Sequence, residues 1–186
     1  LLHSVLGRAA LQARLVECTE AHGTGTALGD PTEAGALAAV HGAAERATPL
    51  SVGAAKANVG HSEAASGQVG LLKVQQLVEQ RASMGNAHLC VLNPLVGQRL
   101  GAGTACFVLP LECGRSLAAG VAGVSSFGFS GTIAHALVQR AEDGTPAAPL
   151  PSVQLVGLRR RVFSWYECTS SPSLWQRTCV YASCWV

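Results

Sequence analysis

The sequence predicts an α/β fold, on three observations. Short apolar, partly β-branched runs such as "LVEC" and "PLSVG" read as strands. Longer segments repeat apolar residues at helical spacing. The two kinds of segment alternate, with glycine-rich loops between them. Composition points to a tightly packed piece. Of 186 residues, 48% are apolar, 13% are charged and 21 are glycine, against a usual charged share of about 25%. Small residues let elements approach closely. A core this large for its charged surface is expected to lean on further chain or on a second subunit.

The elements follow in order. In "LLHSVLGRAALQA", Leu2, Val5, Leu6 and Ala9 share one face, so a helix opens the chain. It reads as the inside or tail of an amphipathic helix, and the chain is expected to enter mid-fold. A strand is expected over 15–19 and a loop over 20–29. Asp30, Pro31 and Glu33 read as N-cap, first-turn proline and capping-box acid. They predict a helix over 31–45 with Leu37, Val40 and Ala44 on its buried face. A strand over 51–54, a loop through "KANVGH" and a helix over 62–80 come next. Ala65, Val69, Leu72 and Leu77 recur there at helical spacing. Gly67 and Gly70 cost that helix up to about 1 kcal/mol each, which makes sense if something packs close against that turn. Residues 81–102 read as mixed and turn-rich. A strand is expected over 104–109. Two more, over 121–125 and 134–138, are joined by a glycine-rich hinge. Pro146, Pro149 and Pro151 mark a linker.

Several function classes are disfavoured. A net charge of +2 is too small to imply nucleic acid, and the Arg159–Arg160–Arg161 cluster reads as a surface turn. The seven cysteines, Cys18, Cys90, Cys106, Cys113, Cys168, Cys179 and Cys184, include no C-x-x-C pair. They read as reduced, small core residues, not as a metal site. No apolar run reaches the ~18 residues of a membrane span, and no basic leader precedes a secretory core.

Three motifs carry chemistry: "EAHGTGT", "KANVGHSEAASG" and "SSFGFSGTIAH". His22 follows a strand and precedes glycines that free backbone N–H groups for a ligand. Thr24 and Thr26 bring hydroxyls that can bond an amide-bearing substrate. His22 can donate to a carbonyl gaining negative charge, or it is satisfied by backbone in a tight turn. His61 precedes a helix start, where neutral imidazole is favoured. Lys56 and Glu63 could pair across that bend, either to order the loop or as a plain surface ion pair of little worth. "GTGT" with "LGDP" fits neither nucleotide-loop pattern. There is no H-E-x-x-H, and no G-x-S-x-G for a serine hydrolase.

Taken together, the motifs resemble the C-terminal half of a β-ketoacyl synthase (ketosynthase) of polyketide and fatty-acid synthases. Glu20 to Thr26 with Gly29 to Glu33 match the first histidine motif. Lys56, Asn58, Gly60, His61 and Glu63 match the second, and Gly128 to His135 the glycine-rich signature. The resemblance covers about residues 1–140. It implies a thiolase-like layered α-β-α-β-α fold, of which this is the C-terminal half, and a homodimer when complete. It implies decarboxylative Claisen condensation of a cysteine-bound acyl group with a malonyl-type extender on acyl carrier protein. His22 and His61 would be the catalytic histidines, with Lys56, Glu63 and Asn58 supporting. Thr24 and Thr26 would bind the phosphopantetheine arm. Phe129, preceded by Gly128, would be the gating aromatic, its N–H joining the oxyanion hole. No cofactor or metal is implied in the domain itself, since phosphopantetheine on the carrier protein holds the substrate. The resemblance implies a cytoplasmic enzyme, or a plastid one in a eukaryote.

The chain departs from the family pattern at Ser130, where glycine is usual, and at Ile133, where asparagine is usual. Both bear on gating and acyl-pocket shape. Serine would cost freedom if that position needs a positive φ. The larger departure is the nucleophile. The family's cysteine elbow lies well upstream of the first histidine, and only 21 residues precede His22. Cys18 is on the wrong element and Cys106 comes after both histidines. The expected organisation is a C-terminal ketosynthase part over 1–140, a post-ketosynthase linker over 141–166 and a tail over 167–186. The cysteine would come from an upstream half, without which the fragment is inactive and marginally soluble. The alternatives are an inactive or structural ketosynthase fragment or subunit, and another thiolase-superfamily acyltransferase. The two-histidine set and the "GHSEAASG" spelling argue against a biosynthetic thiolase.

Overall fold

A computed structural model describes residues 1–101, 106–114, 117, 118 and 120–141. The chain divides into units at 1–144 and 145–186, and every described residue lies in the first. Helix α1 (Leu2–Arg8) leads through a 3-10 turn (Ala13–Leu15) into strand β1 (Cys18–Glu20). Then come α2 (Gly29–His41), β2 (Leu50–Gly53), α3 (Lys56–Val59) and, after a second 3-10 turn (Glu63–Ala65), α4 (Ser66–Gln80). Helix α5 (Pro94–Leu100), β3 (Phe107–Val108), β4 (Val121–Phe127) and β5 (Ile133–Gln139) complete the set. The strands form one five-stranded sheet in the order β3-β2-β1-β4-β5. It is parallel except for β5, which pairs antiparallel with β4 from Val121↔Gln139 to Phe127↔Ile133.

Side chains alternate across the sheet and bury both of its faces. On one face Leu50, Val52 and Val121 meet Leu6 of α1 and Leu37 of α2. On the other, Cys18, Ala122 and Val124 meet Val74, Leu77 and Val78 of α4. Each fully buried Val or Leu contributes about 1.5–3 kcal/mol. The result is a helix–sheet–helix stack, as an α/β layered fold requires.

The glycines of α4 have the packing reason their cost calls for. A Cβ on Gly67 would lie 2.8 Å from Ser126 Oγ, and one on Gly70 3.2 Å from Val124 Cγ2. The helix therefore lies close on β4. This contact also sets its rotation: Ser66, Gly70, Val74, Leu77 and Val78 are its buried residues. Ala65 and Leu72, expected inward, face outward, and Leu72 is 62% exposed.

Other expectations are corrected. The strand expected over 15–19 starts at Cys18, because 13–15 coil into the 3-10 turn and Leu15 is exposed. Helix α2 stops at His41, before Gly42, not at residue 45. Its N-cap is Leu28, without a side-chain cap bond, so Asp30 and Glu33 form no capping box. Helix α3 occupies a segment expected to be loop, and α4 starts four residues late, after its 3-10 turn. Helix α5 lies in the segment expected to be irregular; Asn93 Oδ1 caps it by accepting from Leu95 N–H at 3.0 Å, and Pro94 follows at the first position. Of the strand expected over 104–109, residues 104 and 105 lie outside the described residues. So do 142–186, with them nearly all of the expected linker and the whole tail.

Candidate active site

Strands β2, β1 and β4 are adjacent and parallel, so their C-terminal ends open on one edge of the sheet. That edge is where α/β sheets place ligands. Strand β1 delivers His22, β2 leads into Lys56 and on to His61, and β4 ends in Phe127. The topology thus gathers three distant motifs.

The His22 loop is held by acids from α2. Glu33, buried, accepts from the N–H of His22 at 2.8 Å and of Gly23 at 3.0 Å. Asp30 accepts from the N–H groups of Thr24 and Gly25. The two carboxylates read as helix caps therefore bind the neighbouring loop. Gly23 has φ +43°, and a Cβ there would sit 2.9 Å from Ala54 Cβ. Only glycine lets the loop pass this close to the end of β2.

His22 is the centre of contacts from three elements. Its Nδ1 accepts from Phe127 N–H at 3.3 Å and lies 3.4 Å from Lys56 Nζ. Lys56 also donates to the carbonyl oxygen of His22. The ring packs on Phe127, centroids 5.2 Å apart. With Nδ1 accepting, the neutral ring carries its proton on Nε2. Burial, then the positive charge of Lys56 and the coupling to His61, lower the His22 pKa from 6.5, against an opposing pull from Asp30. His22 is accordingly neutral at pH 7.

His61 is presented by a strained turn. Gly60 has φ +77° and ψ −178°, a conformation closed to other residues, and Glu63 has φ +47°. That turn aims the Glu63 N–H at His61 Nδ1, 2.9 Å away, and Ser66 Oγ lies 3.2 Å from the same nitrogen. His61 too therefore holds its proton on Nε2 in the neutral form. The rings of His22 and His61 stand 6.2 Å apart at 89°.

The other expected site residues divide. Lys56 does not pair with Glu63. It turns instead to His22, and the carboxylates acting on it are Glu20, Glu33 and Asp30. Asn58 bonds Gly85 O and Ala87 N–H, fastening α3 to the 85–87 segment. The hydroxyls of Thr24 and Thr26 lie 3.3 Å apart. Thr24, Lys56 and His61 line an open cavity of ≈ 460 Å³ together with apolar side chains such as Leu37, Val52 and Leu92. Gly128 donates to Thr132 O in the β4–β5 turn, and Phe129 is fully exposed at its tip. The aromatic that touches His22 is Phe127, which motif reading passed over. Ser130 carries no left-handed strain, because the positive φ of that turn falls on Gly131.

Asn86 was also missed. Buried, it accepts from Ala54 N–H and donates to Val52 O and Pro110 O, fixing the end of β2. Cys18, Cys90, Cys106 and Cys113 are free. Burial, aided by Glu17 and Glu20, pushes the Cys18 thiol up to about 12, so it is no ready nucleophile. Among the described residues no His/Cys/Asp/Glu cluster could hold a metal ion, and no helix is long and apolar enough to cross a membrane.

Comparisons with known proteins point to one family. Residues 1–89 match the family described as "Beta-ketoacyl synthase, C-terminal domain". Erythronolide synthase EryA2 of Saccharopolyspora erythraea is 39% identical over 158 residues, 82% of this chain and 4% of its own. The spectinabilin polyketide synthase system protein NorA' of Streptomyces orinoci is 40% identical across 93% of this chain and 5% of its own. The oxazolomycin ketosynthase domain OzmH KS7 of Streptomyces albus superposes with a TM-score of 0.67 and 31% identity, over 76% of this chain and 25% of that one. The chain thus spans a small part of the relatives it matches. In sequence and in fold the chain matches the C-terminal part of a ketosynthase domain, that of the β-ketoacyl synthases found in polyketide synthases.

Proposed function

We propose that this segment supplies the decarboxylation half of a ketosynthase site. The observation that carries the reading is the pair of imidazoles at 6.2 Å, each with Nδ1 engaged by a backbone N–H. Two Nε2–H donors are left for one oxygen. When a malonyl-type thioester loses carbon dioxide, charge builds on its thioester oxygen as the enolate forms. Donors fixed in advance stabilise that charge more than the ground state, so they lower the barrier. Lys56 keeps His22 neutral and holds its loop. Thr24, on the cavity wall with Lys56 and His61, and Thr26 beside it bind the amide-bearing phosphopantetheine arm of an acyl carrier protein. The Phe129 N–H joins the oxyanion hole for the acyl-cysteine step, and Phe129 gates it.

The enolate carbon then attacks an acyl group on a cysteine, forming the new carbon–carbon bond and releasing the thiolate. We assign that nucleophile, which covalent catalysis needs within reach of the site, to none of the described cysteines; Cys18, the one nearest His22 in the chain, is buried with its thiol pushed up to about 12. The nucleophile comes from an upstream half of the same polypeptide or from a partner, and the complete enzyme is a homodimer. The test is to isolate the native polypeptide with an antibody to this segment, weigh it intact, and supply an acyl donor with malonyl-loaded carrier protein. A longer species that forms the β-ketoacyl product supports the reading. A species near 19.1 kDa, without a cysteine-bearing partner and without product, sinks the condensing role.

A further inference from the structure

Glu20 is buried at the end of β1, two residues before His22, and the chemistry above gives it no role. Its side chain turns to the α4 face of the sheet. Oε2 meets Lys73 Nζ at 2.7 Å, with side-chain exposures of 3% and 9%. Apart from this pairing, neither atom has a hydrogen-bond partner among the described residues. Oε1 accepts from the N–H of Ala55, the residue before Lys56. Two glycines make room for the pair. Gly53, opposite Glu20 in the β1–β2 register, has its missing Cβ position 3.1 Å from Lys73 Nζ and 3.3 Å from Glu20 Oε2. Gly70 of α4 leaves its own Cβ position 3.4 Å from Glu20 Cγ. A side chain at either glycine would crowd the pair, so this is a built site joining β1, β2 and α4.

A buried ion pair is weak evidence for stability, because desolvation offsets most of its attraction. A reason for retaining this one lies next to it. Lys56 is half-buried, and burial lowers its hold on its proton; Glu20 is the first of the carboxylates that oppose this, before Glu33 and Asp30. We propose that Glu20, paired with Lys73, is a positioning residue of the histidine site: it fastens the end of β1 to the N-cap of α3 and holds a negative charge at the start of the helix that carries Lys56. The inference rests on the functional reading only for what Lys56 does next. The charged groups around Lys56 are Glu20 from β1, Asp30 and Glu33 from α2, His22 and His61 from the loops, and Lys73 from α4 behind Glu20. Without the Glu20 charge, Lys56 loses its proton at lower pH, and with it the ammonium that holds His22.

The test uses Glu20→Gln, which keeps an oxygen for the Ala55 N–H, and Glu20→Gln/Lys73→Met, which leaves no unpaired buried charge and covers the case where the single variant does not fold. In the native polypeptide, acetylation of Lys56 by acetic anhydride is followed across pH by mass spectrometry. Its midpoint is expected to fall by about one pH unit or more in Glu20→Gln and by less in the double variant, which also removes the Lys73 charge, and the alkaline limb of malonyl decarboxylation is expected to fall with it. A midpoint unchanged in folded Glu20→Gln, or unchanged in the double variant where the single one does not fold, overturns the proposal and leaves the pair a structural tie. If the wild-type polypeptide decarboxylates nothing, the functional reading fails, and the Lys56 midpoint still decides this one.

Discussion

The carboxylate of Glu33 accepts the backbone N–H of His22 at 2.8 Å, from a position 11 residues along the chain. Its second oxygen takes the next N–H, that of Gly23. A helix that packs against the sheet thereby dictates where the loop after β1 goes. Glu33→Gln keeps one acceptor but turns an amide N–H₂ toward the other donor. It is expected to cost about 1–3 kcal/mol of stability and to lower decarboxylation turnover with little change in KM. Chemical denaturation and steady-state kinetics check both.

Close packing of α4 on β4 gives a second prediction. Gly67→Ala places a Cβ 2.8 Å from Ser126 Oγ and is expected to destabilise by about 1–3 kcal/mol. Ser126→Gly removes the obstacle, so the double variant should recover much of the loss. The interaction energy from a double-mutant cycle measures this, and additive losses would mean that the contact is unimportant.

Lys56 and His22 make the site's pH response predictable in sign. Lys56 is a cause of the lowered His22 pKa. Lys56→Met should let that value rise toward 6.5. Protonation at Nδ1 would set a donor against the Phe127 N–H, so activity is lost where His22 charges. The acid limb of decarboxylation therefore moves to higher pH in Lys56→Met, while Lys56→Arg, which keeps the charge, leaves it near its wild-type place.

Stability has its own pH dependence. His135 lies against Ser125, Nδ1 to Oγ at 3.0 Å, and burial pushes its pKa from 6.5 down to about 4; His41 is lowered in the same way. An unfolded chain binds more protons than the folded one between those values. Stability is then full above about 6.5 and falls as pH drops toward about 4. Urea midpoints at pH 7 and pH 5 should show the loss, and His135→Gln should reduce the difference.

Much of this site was legible because each motif is local. A strand followed at once by a histidine places His22 at a strand end, the helix start after His61 places that histidine in the loop before it, and the small residues nearby announce tight loops. What was not legible depends on partners far along the chain. The spacing Asp30–x–x–Glu33 serves a capping box or a reach to another loop equally well, and only the fold shows that Glu33 goes to His22. Phe129 stands in the signature, but the strand extends two residues past Ser125, so Phe127 meets the ring. The rotation of α4 follows from Gly67 and Gly70 lying against β4, which periodicity alone does not weigh. Helix α5 is different: Asn93, Pro94 and Gly101 are ordinary helix start and stop signals, and they were readable.

The central claim is that His22 and His61 donate from Nε2 to one oxygen. Its most direct test is the rate of carbon dioxide release from malonyl-loaded carrier protein by the native polypeptide, compared with His22→Ala and His61→Ala. Removing one donor of an oxyanion site lowers the rate by about 10²–10³. Each variant is expected to show a loss of that order, with carrier-protein affinity little changed and the fold intact by circular dichroism. A folded variant of either kind that releases carbon dioxide at the wild-type rate would contradict the account.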